Sequence, residues 1–325
     1  MFGKKQLIII KLTGRLGNQL FLFSVGYALA KKLGADLAFH SCGIKAEDLL
    51  LPKLVSHHYR EATNQELRSV GILNIYEVEL FSDRKEKDYL SKKIFDKIGN
   101  IIFSRLVSIA RSFQKCKSAN FNEKENFKFK KDPALLQVDL PVYISGYFQS
   151  EEYFLDYSQE IVAAINWSPQ IAKLAISFQR PIVAISFRRG DYNIYNGTLP
   201  IQYYEKSLIH LKSMVTPGTL LLFGDDDDFV ELMEDRWSVH NKVVNAKKLL
   251  VKSESPIIDQ LLLMTECDHF IIANSTFSWL GAWLCEQKHP NKERVVIAPE
   301  NWIGGSSINS LPERWIKILS ERASV

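Results

Sequence analysis

Several features are scarce in this 325-residue chain, and each scarcity excludes something. Cysteine occurs four times, at Cys42, Cys116, Cys267 and Cys285, with no Cys-x-x-Cys pair and no Cys/His cluster. That scatter argues against a zinc site and fits buried neutral thiols in a reducing compartment. No stretch reaches the roughly 20 uninterrupted apolar residues of a membrane span. The N-terminal run Leu7-Ile8-Ile9-Ile10 is closed by Lys11, so it reads as a strand and not as a signal peptide. A cytoplasmic location is the expectation. The net charge is +4, too small to suggest a nucleic-acid binder. The full Gly-x-Gly-x-x-Gly dinucleotide fingerprint is also missing.

What charge there is lies unevenly. Residues 84–131 carry fourteen Lys/Arg against five Asp/Glu, a net +9, which leaves −5 for the rest. Within that segment Ile94, Phe95, Ile98, Ile101, Ile102, Leu106, Ile109 and Phe113 recur at helical spacing. The pattern predicts an amphipathic basic helix. The favoured reading packs it on its own domain with a solvated basic face. The other reading rests it on an anionic membrane surface, as a peripheral contact.

The length exceeds what one core usually serves, so two domains are expected, 1–156 and 157–325, with a helix over 157–177 leading into the second. Strands alternate with helical patterns in both, the signature of two Rossmann-like layers. Leu7 to Leu12 is a strand, followed by Thr13-Gly14-Arg15-Leu16-Gly17-Asn18-Gln19 and a helix that Gly34 stops. Two glycines before a helix N-terminus let the backbone approach an anion, though a tight turn without a ligand has the same sequence. A second strand spans Ala35 to His40. A third, Val142 to Ser145, ends in the aromatic cluster Gly146-Tyr147-Phe148-Gln149-Ser150-Glu151, suited either to sugar stacking or to ordinary packing.

The stretch Ile182-Val183-Ala184-Ile185-Ser186-Phe187-Arg188-Arg189-Gly190-Asp191 is an apolar strand that ends in two guanidiniums. Ligands of open α/β sheets bind at the carboxyl ends of strands. Arginine's planar fork suits phosphate oxygens, which points to a diphosphate. A structural salt bridge from Arg188 or Arg189 to Asp191 is the competing reading. The strand Thr219 to Phe223 ends in Asp225-Asp226-Asp227-Asp228, which could hold a divalent metal; capping of the next helix is favoured because crowded like charges repel. His269 to Ala273 ends in Asn274-Ser275-Thr276-Phe277-Ser278 ahead of another helix, a second anion-binding arrangement. A last strand, Val295 to Ala298, precedes a helix expected around Glu313 to Arg322.

Taken together, Gly14 to Phe21, Arg188-Arg189-Gly190-Asp191-Tyr192 and Ile271 to Leu284 resemble the glycosyltransferase family 11 α-1,2-fucosyltransferases. Gly146 to Glu151, Leu199-Pro200 with Tyr203-Tyr204, Phe223 to Asp226 and Asp259 support the resemblance, which runs nearly end to end. It implies an α/β fold of GT-B architecture, two facing Rossmann-like domains with a central cleft. It implies an inverting galactoside α-1,2-fucosyltransferase that needs no metal or other cofactor. GDP-fucose would be the donor, and the 2-OH of a terminal galactose in an oligosaccharide or surface glycan such as O-antigen the acceptor; the alternatives are a transferase of another GDP-sugar and a non-catalytic nucleotide- or carbohydrate-binding protein.

By the same resemblance Arg188 contacts the diphosphate, Asp259 reads the guanine, and the stretch Ser275 to Ser278, with Ser275, Thr276 and Ser278, holds the phosphates; Asn274 belongs to the donor site. Gly14, Gly17, Asn18 and Gln19 face the donor across the cleft, and Ser186, Arg189 and Asp225 complete its site. Ser186 stands where the family pattern has histidine. Tyr147, Gln149, Glu151 and Trp302 are the acceptor-side expectations. Asp191 is the nominal catalytic base, with Glu151 and Glu300 as other carboxylates at strand ends.

Overall fold

In a computed structural model the protein is described over residues 6–72, 119–124, 129–190, 192, 197–302 and 311–320. The helix expected over 94–113 and the nominal base Asp191 lie outside the described residues. Two all-parallel sheets organise the rest.

The first sheet takes β1 (Leu7–Lys11), β2 (Asp36–His40), β3 (Ala119–Asn122) and β4 (Val142–Ser145), in the order β2-β1-β4-β3. Helix α1 (Leu16–Leu33) follows β1; α2 (Leu51–Leu54) and α3 (Asn64–Ser69) follow β2. The second sheet takes β5 (Ile182–Ser186), β6 (Thr219–Phe223), β7 (Val243–Asn245), β8 (His269–Ile271), β9 (Val296–Pro299) and β10 (Ile316–Ile318). Its order is β10-β9-β8-β5-β6-β7. Helices α4 (Ser158–Ala164) and α5 (Pro169–Ile176) lead into it. The helices α6 (Ile201–Met214), α7 (Asp227–Ser238), α8 (Ala246–Leu249), α9 (Pro256–Met264) and α10 (Thr276–Lys288) lie between its strands.

Strand order reverses direction at one place in each sheet. In the first, β1 has β2 on one side and β4 on the other; in the second, β5 stands between β6 and β8. Such switch points open a crevice at the carboxyl ends of the strands. The loops after β1 and β4, and those after β5 and β8, border these two crevices.

Two expectations are corrected. The helix expected over 157–177 is two short helices, broken where Ser168 caps Ile171 N and Pro169 starts a new first turn. The C-terminal helix expected around Glu313 to Arg322 is instead β10, paired parallel to β9 from Ile316 to Ile318. The edge of β9 gives these residues a ladder partner, and the β-branched Ile316 and Ile318 suit a strand. Among the described residues no helix is long and apolar enough to cross a membrane.

The strands are buried because both faces are covered. Ile8, Ile10 and Leu12 face α1, whereas Leu7 and Ile9 face the opposite side with Ala38, Leu67 and Val70. One apolar core runs without a break from the first sheet into the second. The seam is aromatic. Phe21 on α1 meets Trp279 on α10 at 4.7 Å between ring centroids and Phe154 at 5.8 Å; Phe154 meets Trp283 edge-on at 5.1 Å. All four side chains are fully buried. Beside them, the Glu151 carboxylate takes two hydrogen bonds from Arg314, at 2.7 and 2.9 Å, and one from Trp283 Nε1 at 2.9 Å. Arg314 also reaches Glu286 at 2.7 Å. Burial alone would lower the Arg314 pKa, but its bonds and charges with Glu151 and Glu286 outweigh that and raise it above the ordinary value.

Phe21→Ala should therefore destabilise the protein by about 3–5 kcal/mol, the usual range for emptying a buried phenylalanine site. Equilibrium unfolding in urea checks this through a lowered midpoint at unchanged slope.

Candidate active site

The glycine loop after β1 turns into α1 through Gly14, whose φ of +68° suits a residue without Cβ. Among the described residues no side chain caps the start of α1: Arg15 occupies the N-cap position without a side-chain cap bond. The first amides of an 18-residue helix are thus left to the crevice. Gly17 sets what they face. A Cβ built on Gly17 would lie 2.5 Å from Thr276 Oγ1 and 2.7 Å from Phe277 N. The N-terminus of α1 therefore abuts that of α10. Two positive helix ends converge on one spot, an arrangement suited to an anion.

Arg188 and Arg189 leave the end of β5 at the second sheet's crevice. Arg188 Nη1 pairs with Asp225 Oδ2 at 2.6 Å, and its guanidinium lies 5.0 Å from the Tyr192 ring. Asp225 Oδ1 also accepts from the backbone N–H of Arg189 at 2.8 Å and of Gly190 at 3.3 Å. Arg189 sits over the Phe229 ring at 4.0 Å and reaches Asp226 at 3.4 Å. Both arginines thus form salt bridges, to the loop after β6. Asp226 also starts the helix that follows, its other oxygen capping α7 by accepting from Phe229 N at 3.1 Å. The acidic run serves the chain as a helix cap and as the holder of the arginine loop. Among the described residues no three His, Cys, Asp or Glu side chains are grouped to hold a metal ion.

The other expected site residues divide by what their polar atoms already do. Ser275 caps α10 by accepting from Phe277 N at 3.3 Å, and like Thr276 it stays partly exposed at the convergence point. Asn274 donates to Gly197 O at 2.8 Å, while its buried Oδ1 has no partner among the described residues. Asp259 lies in the first turn of α9 and accepts from Ser253 Oγ at 2.6 Å. Asn18 lies on the first turn of α1, where Gln149 Nε2 donates to its Oδ1 at 3.0 Å. Tyr147 is the exposed member of the loop after β4.

Four expected ligand contacts have their side chains engaged within the chain. Gln19 is fully buried; its amide donates to Gly14 O and Asp48 O and accepts from Leu50 N and Leu51 N. That saturates a glutamine. Ser186 Oγ accepts from Ala273 N at 3.1 Å and pins the end of β8 to β5. Ser278 is buried and its hydroxyl turns back to Ala273 O and Ser275 O. Glu151, expected at the acceptor and as an alternative base, is held in the Arg314 network at the aromatic seam. Trp302 is buried, with an indole N–H that has no partner among the described residues. Glu300 directly follows β9, its backbone N–H bonded to Ile318 O.

One residue at this face was not singled out from sequence. Glu123, just past β3, accepts from Tyr147 N at 2.7 Å and Phe148 N at 2.8 Å. It fixes a loop in which Phe148 has a φ of +49° and Gly146 one of +152°. It lies inside the basic segment, and nothing in its neighbours marks it as a loop anchor.

The chain is 26% identical to the O-antigen biosynthesis glycosyltransferase WbnK of Escherichia coli, over 94% of this chain and 99% of that protein. It is also 26% identical to an Escherichia coli alpha-1,2-colitosyltransferase, over 96% of this chain and 99% of that one. The crystal structure of POFUT1 in complex with GDP is similar at a TM-score of 0.47 and 13% identity, covering 94% of this chain and all of that one. The sequence model described as glycosyl transferase family 11 matches residues 97–309, more than half of the chain. This protein belongs to glycosyl transferase family 11.

Proposed function

We propose that this glycosyltransferase moves L-fucose, with inversion, from GDP-β-L-fucose to the 2-OH of a terminal galactose in an oligosaccharide or surface glycan. The observation that carries the reading is the convergence at Gly17. The uncapped start of α1 and the Ser275–Thr276 start of α10 meet where the crevices of both sheets open. With Arg188 at the end of β5, that placement suits the diphosphate of a nucleotide sugar.

The chemistry follows from where charge appears. As the glycosidic bond breaks, the bonding electrons go to the β-phosphate oxygen. Donors fixed in advance there stabilise the transition state more than the ground state. The helix amides and Arg188 supply those donors. The anomeric carbon becomes oxocarbenium-like and accepts the galactose hydroxyl from the opposite face. Asp191 remains the proposed base, since Glu151 is engaged elsewhere. Asp259 is proposed to read the guanine and Tyr147 to meet the acceptor. A second reading, transfer of a colitosyl group, is favoured by the colitosyltransferase relative; competition between the two donor sugars separates them.

Arg188→Ala should lower transfer from GDP-fucose about 10²- to 10³-fold, the usual effect of losing one such donor. Near-wild-type turnover in a GDP-release assay would sink the assignment. Since arginine and helix amides carry the leaving-group charge, activity should survive EDTA, and strict Mn²⁺ dependence would contradict this mechanism. Gly17→Ala offers a test of sign. Helix propensity alone would stabilise the protein by about 0.5–1 kcal/mol. The contact with α10 backbone atoms predicts the reverse, a lowered Tm together with at least tenfold slower transfer.

A further inference from the structure

Gln149 was expected to touch the acceptor, yet its amide is turned toward the other side of the crevice. Its Nε2 donates to Asn18 Oδ1 at 3.0 Å, across 131 residues of sequence. With that oxygen taken, the remaining polar end of Asn18 is its Nδ2, a donor. This nitrogen lies against Gly14, where a Cβ built on the glycine would collide with it. Asn18 is the third residue of α1, so its amide N–H₂ stands beside the helix amides that no side chain caps. Without Gln149 the Asn18 amide could turn over and present its oxygen, which would repel an anion.

Gln149 is itself held firmly. It follows Phe148, whose φ of +49° is uncommon for a residue with a side chain. Glu123 secures that conformation by accepting from Tyr147 N and Phe148 N, and Ser150 N adds a bond to Phe148 O at 2.9 Å. A side chain on Gly146 would collide with Glu123, so glycine is what lets the carboxylate reach the loop.

We infer that Gln149 is a positioning residue for the donor, which orients the Asn18 amide so that its N–H faces the leaving diphosphate. This rests on the GDP-sugar reading of the site. It differs from an acceptor role in what must fail when Gln149 changes. An acceptor contact alters the KM for the galactoside and leaves donor chemistry alone. A residue acting through Asn18 alters GDP binding and the slow hydrolysis of GDP-fucose by water, in which no acceptor takes part.

The test is a double-mutant cycle read by GDP titration calorimetry and by acceptor-free GDP-fucose hydrolysis. Asn18→Ala and Gln149→Ala should each weaken GDP about tenfold, the scale of one hydrogen bond to a charged group. The double variant should also lose about tenfold, because the two residues act as one unit. Gln149→Glu, nearly isosteric and so a check on folding, reverses the polarity of the pair and should weaken GDP more than Gln149→Ala does. Adding Asn18→Ala to it should recover part of that loss. Independent losses that multiply to about a hundredfold in the double variant would overturn the inference. So would a Gln149→Ala protein with wild-type GDP affinity and hydrolysis but a raised galactoside KM. Failure of the wild-type protein to bind GDP would instead overturn the nucleotide-sugar reading, and this inference with it.

Discussion

The close approach of α1 to α10 at Gly17 is the constraint on which the rest of the structure depends. Two helix N-termini that abut place like partial charges side by side, each roughly half a unit. Exposed to solvent that repulsion is worth about 1 kcal/mol or less. The aromatic seam behind it buries Phe21, Phe154, Trp279 and Trp283, and each large side chain so buried contributes several times as much. Packing therefore wins, and it holds the two positive ends together without an anion. The two helix ends are fixed by the chain's own packing, which is the condition for electrostatic preorganisation.

The loops that flank this point are fixed by one device used twice. In the second sheet a carboxylate after β6, Asp225, accepts from two successive amides of the loop after β5. In the first, a carboxylate after β3, Glu123, accepts from two successive amides of the loop after β4. In each case a neighbouring strand end supplies the acceptor. Asp225 also pairs with Arg188, so it sets the direction of the guanidinium. A lysine in that place would carry the charge but not the fixed plane.

Much of the fold was legible because parallel strands buried on both faces read as apolar runs. Ile182 to Ser186 and Thr219 to Phe223 are both buried throughout. One error falls where the signal is short. Ile316-Lys317-Ile318 is too brief for periodicity to separate strand from helix; the free edge of β9 decided it. At the site, residue types were legible and their partners were not. Among the described residues the salt bridges of the arginine pair run to Asp225 and Asp226, more than thirty residues on, because the strand neighbouring β5 on that side is β6. Polar residues at strand ends also serve either chain or ligand with the same sequence signature. Gln19, Ser186 and Ser278 hold backbone, and only their filled hydrogen-bond partners reveal it.

The seam also limits how the cleft can open. Parting the two sheets at α1 and α10 would expose four large aromatic side chains, each burying roughly 150–250 Å². At about 25 cal/mol per Å², even partial exposure amounts to on the order of 10 kcal/mol. Breaking the Glu151–Arg314–Glu286 network adds to that, since it would leave charges without partners. Conformations populated enough to matter in turnover lie within a few kcal/mol of the ground state. A hinge that separates the halves along this seam is therefore excluded as a step in each catalytic cycle. Movement that admits the donor and releases the product must come from loops at the carboxyl ends of the strands, or from a rotation that keeps the α1–α10 contact as its pivot.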